Sequence, residues 1–430
     1  MLPPVLEVYV LWHPDDTKGA DVADRLIEHF HAEAFSGLLG GAIDVYVRSI
    51  GWDGPGTQPR PIPLPNETHL TPAPARFVAI VPLLGPALSR EVATSGSPWN
   101  QYLDHLVRAA ETVHVPAVAG KPAQKAIAIF PVTLHADALH GALGQFFGSR
   151  QILAAADPSA PEPEPEGSML RRDLTQGLAQ FLADAKDKDR IHVFISHTKR
   201  WDKTAERQTQ ELIATILEVI DRTRLGKFFD ANSIQPGKEW EQALETAART
   251  CALLAVRTDL YAGRNWCQRE VMLAKQAGVP VVTLDALDEG EARGSYMLDH
   301  VPRLRARHKD EKWDRADIRR ALGVLVDESL KRELWSHQRD IARAEGVDPP
   351  VAWWAPHAPE PMTFAHWLRA DSDGQKAMTD KGVPLILHPD PPLTETERED
   401  LLNMATLLGL KGVDPMTPRT LAARGGGSAS

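Results

Sequence analysis

A tryptophan and a glutamate four residues apart, Trp266 and Glu270 in the run Trp-Cys-Gln-Arg-Glu, form the most chemically pointed segment of the chain. On a helix that spacing places both side chains on one face, one turn from each other, so an aromatic wall borders a carboxylate. A fixed anion beside a sugar stabilises the positive, oxocarbenium-like charge that builds as a glycosidic bond parts. Two plainer readings stand beside this one. An acid near a helix start is favourably placed against the helix dipole, and a large aromatic is an ordinary core anchor. Cys267, between them, reads as a small buried apolar residue, because no histidine follows it within the motif to activate it.

Other candidates lie where strands end. Ser196 and His197 directly follow the apolar run His192 to Ile195, which puts them at a carboxyl end, where doubly wound sheets open their ligand crevices. A strand-end cap and a solvent-facing turn residue are the alternatives for this pair. Phe229 and Asp230 close the short run that begins at Lys227, with Asp230 equally suited to satisfying turn amides. Residues 231 to 239 carry Gly237 after Pro236, a turn fit for a mobile rim. Arg257 ends the run Cys251 to Val256, and Tyr261 lies just beyond it on the same predicted sheet edge.

The elements that must hold these residues alternate. Apolar runs at 192 to 195, 251 to 256 and 279 to 284, and a short run at 227 to 230, are separated by helical patterns at 206 to 220, 240 to 250 and 267 to 276. Short apolar strands joined by helices imply right-handed crossovers and a parallel sheet covered on both faces, a flavodoxin-like α/β layout. The first part of the chain repeats the design: Leu6 to Asp16, a helix from Gly19 to Phe30, then Ile43 to Ser49, Phe77 to Leu84 and Ala126 to Leu134. Ser-Pro-Trp-Asn around Trp99 stands as Arg-Asn-Trp-Cys does around Trp266, 266 − 99 = 167 positions later. A duplicated domain is the economical explanation, although unrelated doubly wound units share such patterns. Alternating proline and glutamate marks 155–168 as an extended linker, and the proline-rich 54–74 as a long loop. The expected organisation is therefore an α/β domain over 1–154, the linker, a second α/β domain over 169–317, and an accessory region over 318–430. That last region holds a long helix from Asp317 to Glu345, a tryptophan-rich stretch at 351 to 354, a strand candidate at 383 to 387 and a helix from Glu395 capped by Thr394. It forms either a small third α/β unit or an appendage completing the second domain.

Three segments occur in order: HVFISHTKRWD, KFFDANSIQPGKEWEQAL and GRNWCQREVMLAK. They resemble the TIR (Toll/interleukin-1 receptor) family, whose motifs are an opening strand, a second strand with its BB loop, and a helix bearing WCxxE. The resemblance covers roughly residues 190 to 300. It implies a bacterial-type enzyme that cleaves NAD between nicotinamide and ribose, giving linear or cyclic ADP-ribose, with Glu270 as the carboxylate on which cleavage depends. With NAD as the substrate and not a cofactor, the residues placed by position at the strand ends and beside Glu270, namely Ser196, His197, Phe229, Asp230, Arg257, Tyr261 and Trp266, are expected to border it. Activation by self-association, or by a protein or small-molecule signal, and a place in anti-phage immunity follow from the same resemblance. Counting from Trp99 as from Trp266 reaches Leu103, and the nearest acid, Asp104, is rotated by about 100° around a helix. The first domain is thus expected to be a degenerate TIR-like unit that binds, gates or assembles. Its alternative is an independent Rossmann-like ligand-binding unit. For the whole chain the rivals are a signalling scaffold without catalysis and another N-glycosidic enzyme of the nucleoside deoxyribosyl transferase kind.

Composition bounds these readings. A chain of 430 residues with 43% hydrophobic content buries substantial core and favours several domains. A net charge of −10, from 58 acids and 48 bases, argues against a nucleic-acid protein with a broadly basic surface. Only two cysteines are present, which fits a reducing cytosol and excludes a disulfide scaffold. No secretory leader is legible at the start, and no run approaches the roughly 20 apolar residues of a membrane span, so a cytoplasmic location is expected. No HExxH, P-loop or zinc-knuckle spacing appears among the 16 histidines and two cysteines, leaving metal and ATP without support.

Overall fold

A computed structural model describes residues 4–426 except 33–34, 36–41, 55–56, 68, 71–73, 117–121, 136, 157–163, 186–189, 199–202, 229–239, 292, 346–350, 371–384 and 411–412. Two compact units divide the chain, Met1–Lys186 and Asp187–Ser430.

In the first unit, strands β1 (Leu6–Leu11), β2 (Ile43–Arg48), β3 (Phe77–Leu84), β6 (Ile127–Ile129), β7 (Val132–Thr133) and β8 (Leu153–Ala154) are all paired in parallel. Their order is β2-β1-β3-β7-β8, with β6 also on β3. Since β6 and β7 both lie on β3, they are two pieces of one fourth strand. The single run expected from 126 to 134 is broken at Phe130-Pro131, because proline cannot donate to a ladder. A small antiparallel ribbon, β4 (His114–Val115) with β5 (Gln124–Lys125), precedes it. Helices α1 (Lys18–Phe30), α2 (Pro86–Ala93), α3 (Pro98–Thr112), α4 (Ala142–Phe147) and α5 (Ser168–Leu182) complete the unit. No helix occurs between β2 and β3 among the described residues, where the proline-rich loop runs instead. The boundary between units falls after α5 and not at the proline- and glutamate-rich 155–168. The reason is packing: Phe181 of α5 makes edge contacts with Phe77 and Phe130, at 5.7 and 6.4 Å between ring centroids, and Gly177 lies against the Phe130 ring.

The second unit holds β9 (His192–Ser196), β10 (Gly226–Phe228), β11 (Ala252–Arg257), β12 (Val281–Asp285) and β13 (Arg303–Arg305), all parallel, in the order β10-β9-β11-β12-β13. Numbered within each unit, both sheets read 2-1-3-4-5, the flavodoxin-like doubly wound order. Helices α6 (Lys203–Asp221), α7 (Trp240–Thr250), α8 (Asn265–Ala277) and α9 (Arg315–Glu345) cover the faces. Side chains of a strand alternate between faces, and the core follows that rule. Val193, Ile195, Leu254, Val256, Val282 and Leu284 meet α6 and α9 on one face. Phe194, Leu253, Ala255 and Val281 meet α7 and α8 on the other. A short antiparallel hairpin, β14 (His308–Lys309) with β15 (Lys312–Trp313), joins β13 to α9.

Helix α9, 31 residues long, runs through the boundary expected at 317/318 and serves two sheets. Ile318, Leu322 and Leu325 seal the five-stranded sheet. Trp335, further along, packs on Leu385 and Leu387 of a second sheet. That sheet is β16 (Val351–Trp354), β17 (Leu385–Leu387) and β18 (Asp414–Met416), all parallel in that order, with helices α10 (Pro361–Ala370), α11 (Glu395–Leu407) and α12 (Pro418–Gly426). Residues after 345 thus build a three-stranded parallel sheet with its own helices, and α9 packs on the central sheet as well. Thr394 caps α11 in a reciprocal capping box with Glu397. Trp353 stacks on Trp367 at 5.0 Å, so these tryptophans build core.

At the carboxyl end of β17, His388 is fully buried, and burial pushes its pKa from the ordinary 6.5 down to about 4. Above pH 6.5 the ring is neutral folded or unfolded. As the pH falls from 6.5 toward 4, the unfolded chain takes up a proton that the folded chain refuses, so stability is lost across that window, by up to about 3 kcal/mol. We expect urea midpoints measured at pH 7.5 and 4.5 to fall less in His388→Gln than in the wild type. An identical acid loss in both would remove this account of the group.

Candidate functional site at the carboxyl edge of the second sheet

In a sheet of order 2-1-3-4-5 the chain leaves the first strand toward one side and the third toward the other, and the crevice opens between their carboxyl ends. Here that point lies between β9 and β11, where Ser196 is in register with Ala255 and Arg257 lies two residues further on. Tyr261 begins the short 3-10 turn Tyr261–Gly263 that leads into α8. Glu270 sits one turn inside α8, on its buried side.

Three of the expected residues meet. Ser196 Oγ donates to Glu270 Oε2 at 2.5 Å, and the Tyr261 hydroxyl lies 2.7 Å from the same Oγ. With the serine proton directed at the carboxylate, Tyr261 is the donor to serine, giving a relay of two hydroxyls that ends on Glu270. All three are buried: Ser196 is 1%, Tyr261 0% and Glu270 6% exposed. Burying a carboxylate is costly unless its oxygens find donors, and Ser196 supplies one. Burial also raises the Tyr261 phenol well above its ordinary range, with Cys267 and Glu270 adding to the shift. The phenol therefore stays protonated and keeps its donor role. Ser196→Ala leaves the Tyr261 hydroxyl without its serine partner at zero exposure, which is expected to cost about 1–3 kcal/mol. Thermal or urea unfolding of the full chain checks this, and a change under about 0.5 kcal/mol would show that the relay contributes nothing.

The remaining candidates take other positions. Trp266 is half-buried against the α7–α8 core, with the Arg269 guanidinium 5.3 Å from its ring centre and Arg269 paired to Glu245 of α7. Cys267 donates to the His197 carbonyl at 3.5 Å, tying the start of α8 to the end of β9. Its thiol is pushed up to about 12 by burial and by the charge of Glu270, which leaves it no nucleophilic character at neutral pH. Arg257 is committed to two carboxylates: Glu291 at 2.6 and 2.9 Å, and Asp285 at 3.3 and 3.4 Å. Glu291 also accepts from the Ala262 backbone at 3.0 Å, so Arg257 and Glu291 brace the turn that carries Tyr261. Phe229 and Asp230, with residues 231–239, lie outside the described residues. Sequence reasoning missed Thr198 and Thr258, whose hydroxyls join at 2.7 Å across the two crest loops. Their positions just past β9 and β11 were the available signal. Among the described residues, no cluster of three His, Cys, Asp or Glu is arranged to hold a metal ion.

The corresponding point of the first unit is filled from within. Asp16, 5% exposed, accepts from the backbone N–H groups of Ala87 and Leu88 at 2.9 and 3.0 Å. These are the first-turn donors of α2, which a bound anion would otherwise use. A Cβ at Gly85 would run into the Asp16 carboxylate, so glycine is required there. On α3, Trp99 is 1% exposed and Leu103, standing where the second unit has Glu270, is 1% exposed. A buried leucine offers no charge to a sugar.

Fold and crest together define a doubly wound, flavodoxin-like α/β protein with a carboxylate buried at the switch point of its second sheet. No family model matches the chain, and no curated protein matches it. Among solved structures, it is similar to the TIR domains of the activated Roq1 resistosome, described as directly recognising the pathogen effector XopQ. The likeness has 16% identity and a TM-score of 0.20, and covers 35% of this chain and 99% of that one. A likeness at that TM-score bears on neither activity nor partners. No helix among the described residues is long and apolar enough to cross a membrane.

Proposed function

We propose that the chain is a TIR-type NAD glycohydrolase in which Glu270 stabilises the ribosyl cation as nicotinamide departs. The observation that carries this reading is a carboxylate only 6% exposed, held by the Ser196 hydroxyl at the carboxyl edge of a doubly wound sheet. A charge in so dry a place interacts strongly with a charge developing beside it. In this reading Ser196 and Tyr261 fix the carboxylate, and Trp266, His197, Phe229 and Asp230 contribute to NAD binding. Arg257 acts by bracing the Tyr261 turn. Residues 1–154, whose own crevice is filled by Asp16, serve assembly or gating, and turnover follows self-association or a signal, in a defence role.

The test is product analysis on concentrated full-length protein, with and without crowding agent, offered NAD in one arm and purine or pyrimidine nucleosides in the other. Nicotinamide and an ADP-ribose product from NAD alone is the expected result. Base exchange on nucleosides would establish instead an N-glycosidic transferase, and no turnover under any condition would favour the scaffold.

A further inference from the structure

The carboxyl crest of the second sheet carries a concavity on the face away from α8. It has a volume of about 450 Å³ and lies where α6 meets the carboxyl ends of β11, β12 and β13 and the β14–β15 hairpin. Small-molecule sites are typically about 300–1,000 Å³, and doubly wound sheets hold ligands at this edge. Glu270 and Ser196 are not among its lining residues.

Its charge is the reverse of the chain's. Arg305, Arg307 and Lys309 line it against one carboxylate, Asp288, in a protein of net charge −10. The three cations are not equivalent. Arg307 is fixed by Asp317 at 2.7 Å and Asp314 at 3.0 Å, which anchors the segment after β13. Arg305 and Lys309 make no ion pair among the described residues, and both are exposed. Gln208 of α6 adds a neutral polar side chain to the lining, while the Thr258 hydroxyl is taken up by Thr198. Trp313 forms a fixed aromatic wall, because its indole N–H donates to the Gln208 carbonyl at 3.2 Å and its ring lies 4.8 Å from that of His308. Two cations without an ion pair, a neutral amide and an aromatic wall in one concavity match an anion joined to a ring.

We propose that this concavity binds a small phosphate-bearing ligand of nucleotide size. The site is separate from Glu270, and the inference does not rest on the NAD-cleaving reading. The experiment is calorimetric titration of the unaltered 430-residue chain with pyrophosphate, AMP, ADP-ribose and uncharged adenosine as probes. Saturable binding of at least one phosphate probe, one per chain, and none of adenosine is expected. Pyrophosphate as tight as AMP marks phosphate alone as the recognised part, and tighter AMP marks a nucleotide. Arg305→Glu with Lys309→Glu should weaken binding by at least about tenfold, while Lys125→Glu, an exposed charge in the first unit, should leave it unchanged. The neutral pair Arg305→Gln with Lys309→Gln replaces the reversal if that protein does not fold. Absence of saturable phosphate binding, or binding indifferent to both Arg305/Lys309 pairs, would overturn the proposal.

Discussion

Glu360→Ala should destabilise the chain by about 3–5 kcal/mol, the largest stability loss expected from a single substitution here. The cause is Lys275, on the same helix as Glu270. Its ammonium is 4% exposed, and its three donors go to Glu360 Oε1 at 2.7 Å, Glu360 Oε2 at 2.9 Å and the Asp299 carbonyl at 2.6 Å. Burial pushes Lys275 down and Glu360 up from their ordinary values, so desolvation opposes the pair even while each partner satisfies the other. Removing one partner leaves an uncompensated buried charge. Removing both by apolar groups of similar size does not, so Lys275→Met with Glu360→Leu should recover most of the loss. Urea unfolding of the full-length single and double variants measures this. A single variant within about 1 kcal/mol of wild type, or a double variant no better than the single, would contradict it. The pair also pins α8 to the third layer, as does Gly278, which ends α8 at φ 66° and lies where a Cβ would meet Pro356.

Much of this architecture was readable as letters, and the reason is burial. Parallel strands covered on both faces must be apolar along their length, so β3, β9, β11 and β12 announced themselves, and α6 to α8 filled the intervals. Elements that escape this rule were not legible. Arg-Leu-Arg at β13 is an edge strand with its charges outside, indistinguishable in sequence from a loop. The tryptophan-rich stretch that forms β16 showed its composition and not its partner strand, more than 30 residues on. Nothing in the sequence showed that α9 packs its first turns on one sheet and Trp335 on another. The proline- and glutamate-rich segment looked like the division between units, yet α5 beyond it packs back through Phe181.

For the site, position was readable and partnership was not. Ser196 ends a strand and Glu270 follows Trp266 by one turn, and both facts are local. The bond between them spans 74 positions, and the Ser196–Tyr261 contact spans 65. Local periodicity carries no information about such pairs. The same limit hid the engagement of Arg257 with Glu291, and the 71 positions between Asp16 and Ala87. Leu103 could be seen to lack a carboxylate, but that Asp16 fills the first unit's own crevice was a tertiary fact.

Glu270→Gln is the substitution with the largest expected effect on activity. Glutamine keeps the size, the burial and an oxygen for Ser196 to donate to, and removes only the charge. If the anion acts on the cation that develops as nicotinamide leaves, its interaction is stronger in the transition state than with bound NAD. The loss then falls on kcat and leaves KM little changed. Charge stabilisation of this kind is worth about 10²–10³ in rate, and the variant should lose at least that much while retaining the folded stability of the parent within about 1 kcal/mol. The most direct measurement is nicotinamide released from NAD by concentrated full-length protein, resolved chromatographically beside the Glu270→Gln chain at equal concentration. Steady release by the wild type and none above the no-protein control from the variant is the predicted result, and equal release by the two would contradict the role assigned to the carboxylate.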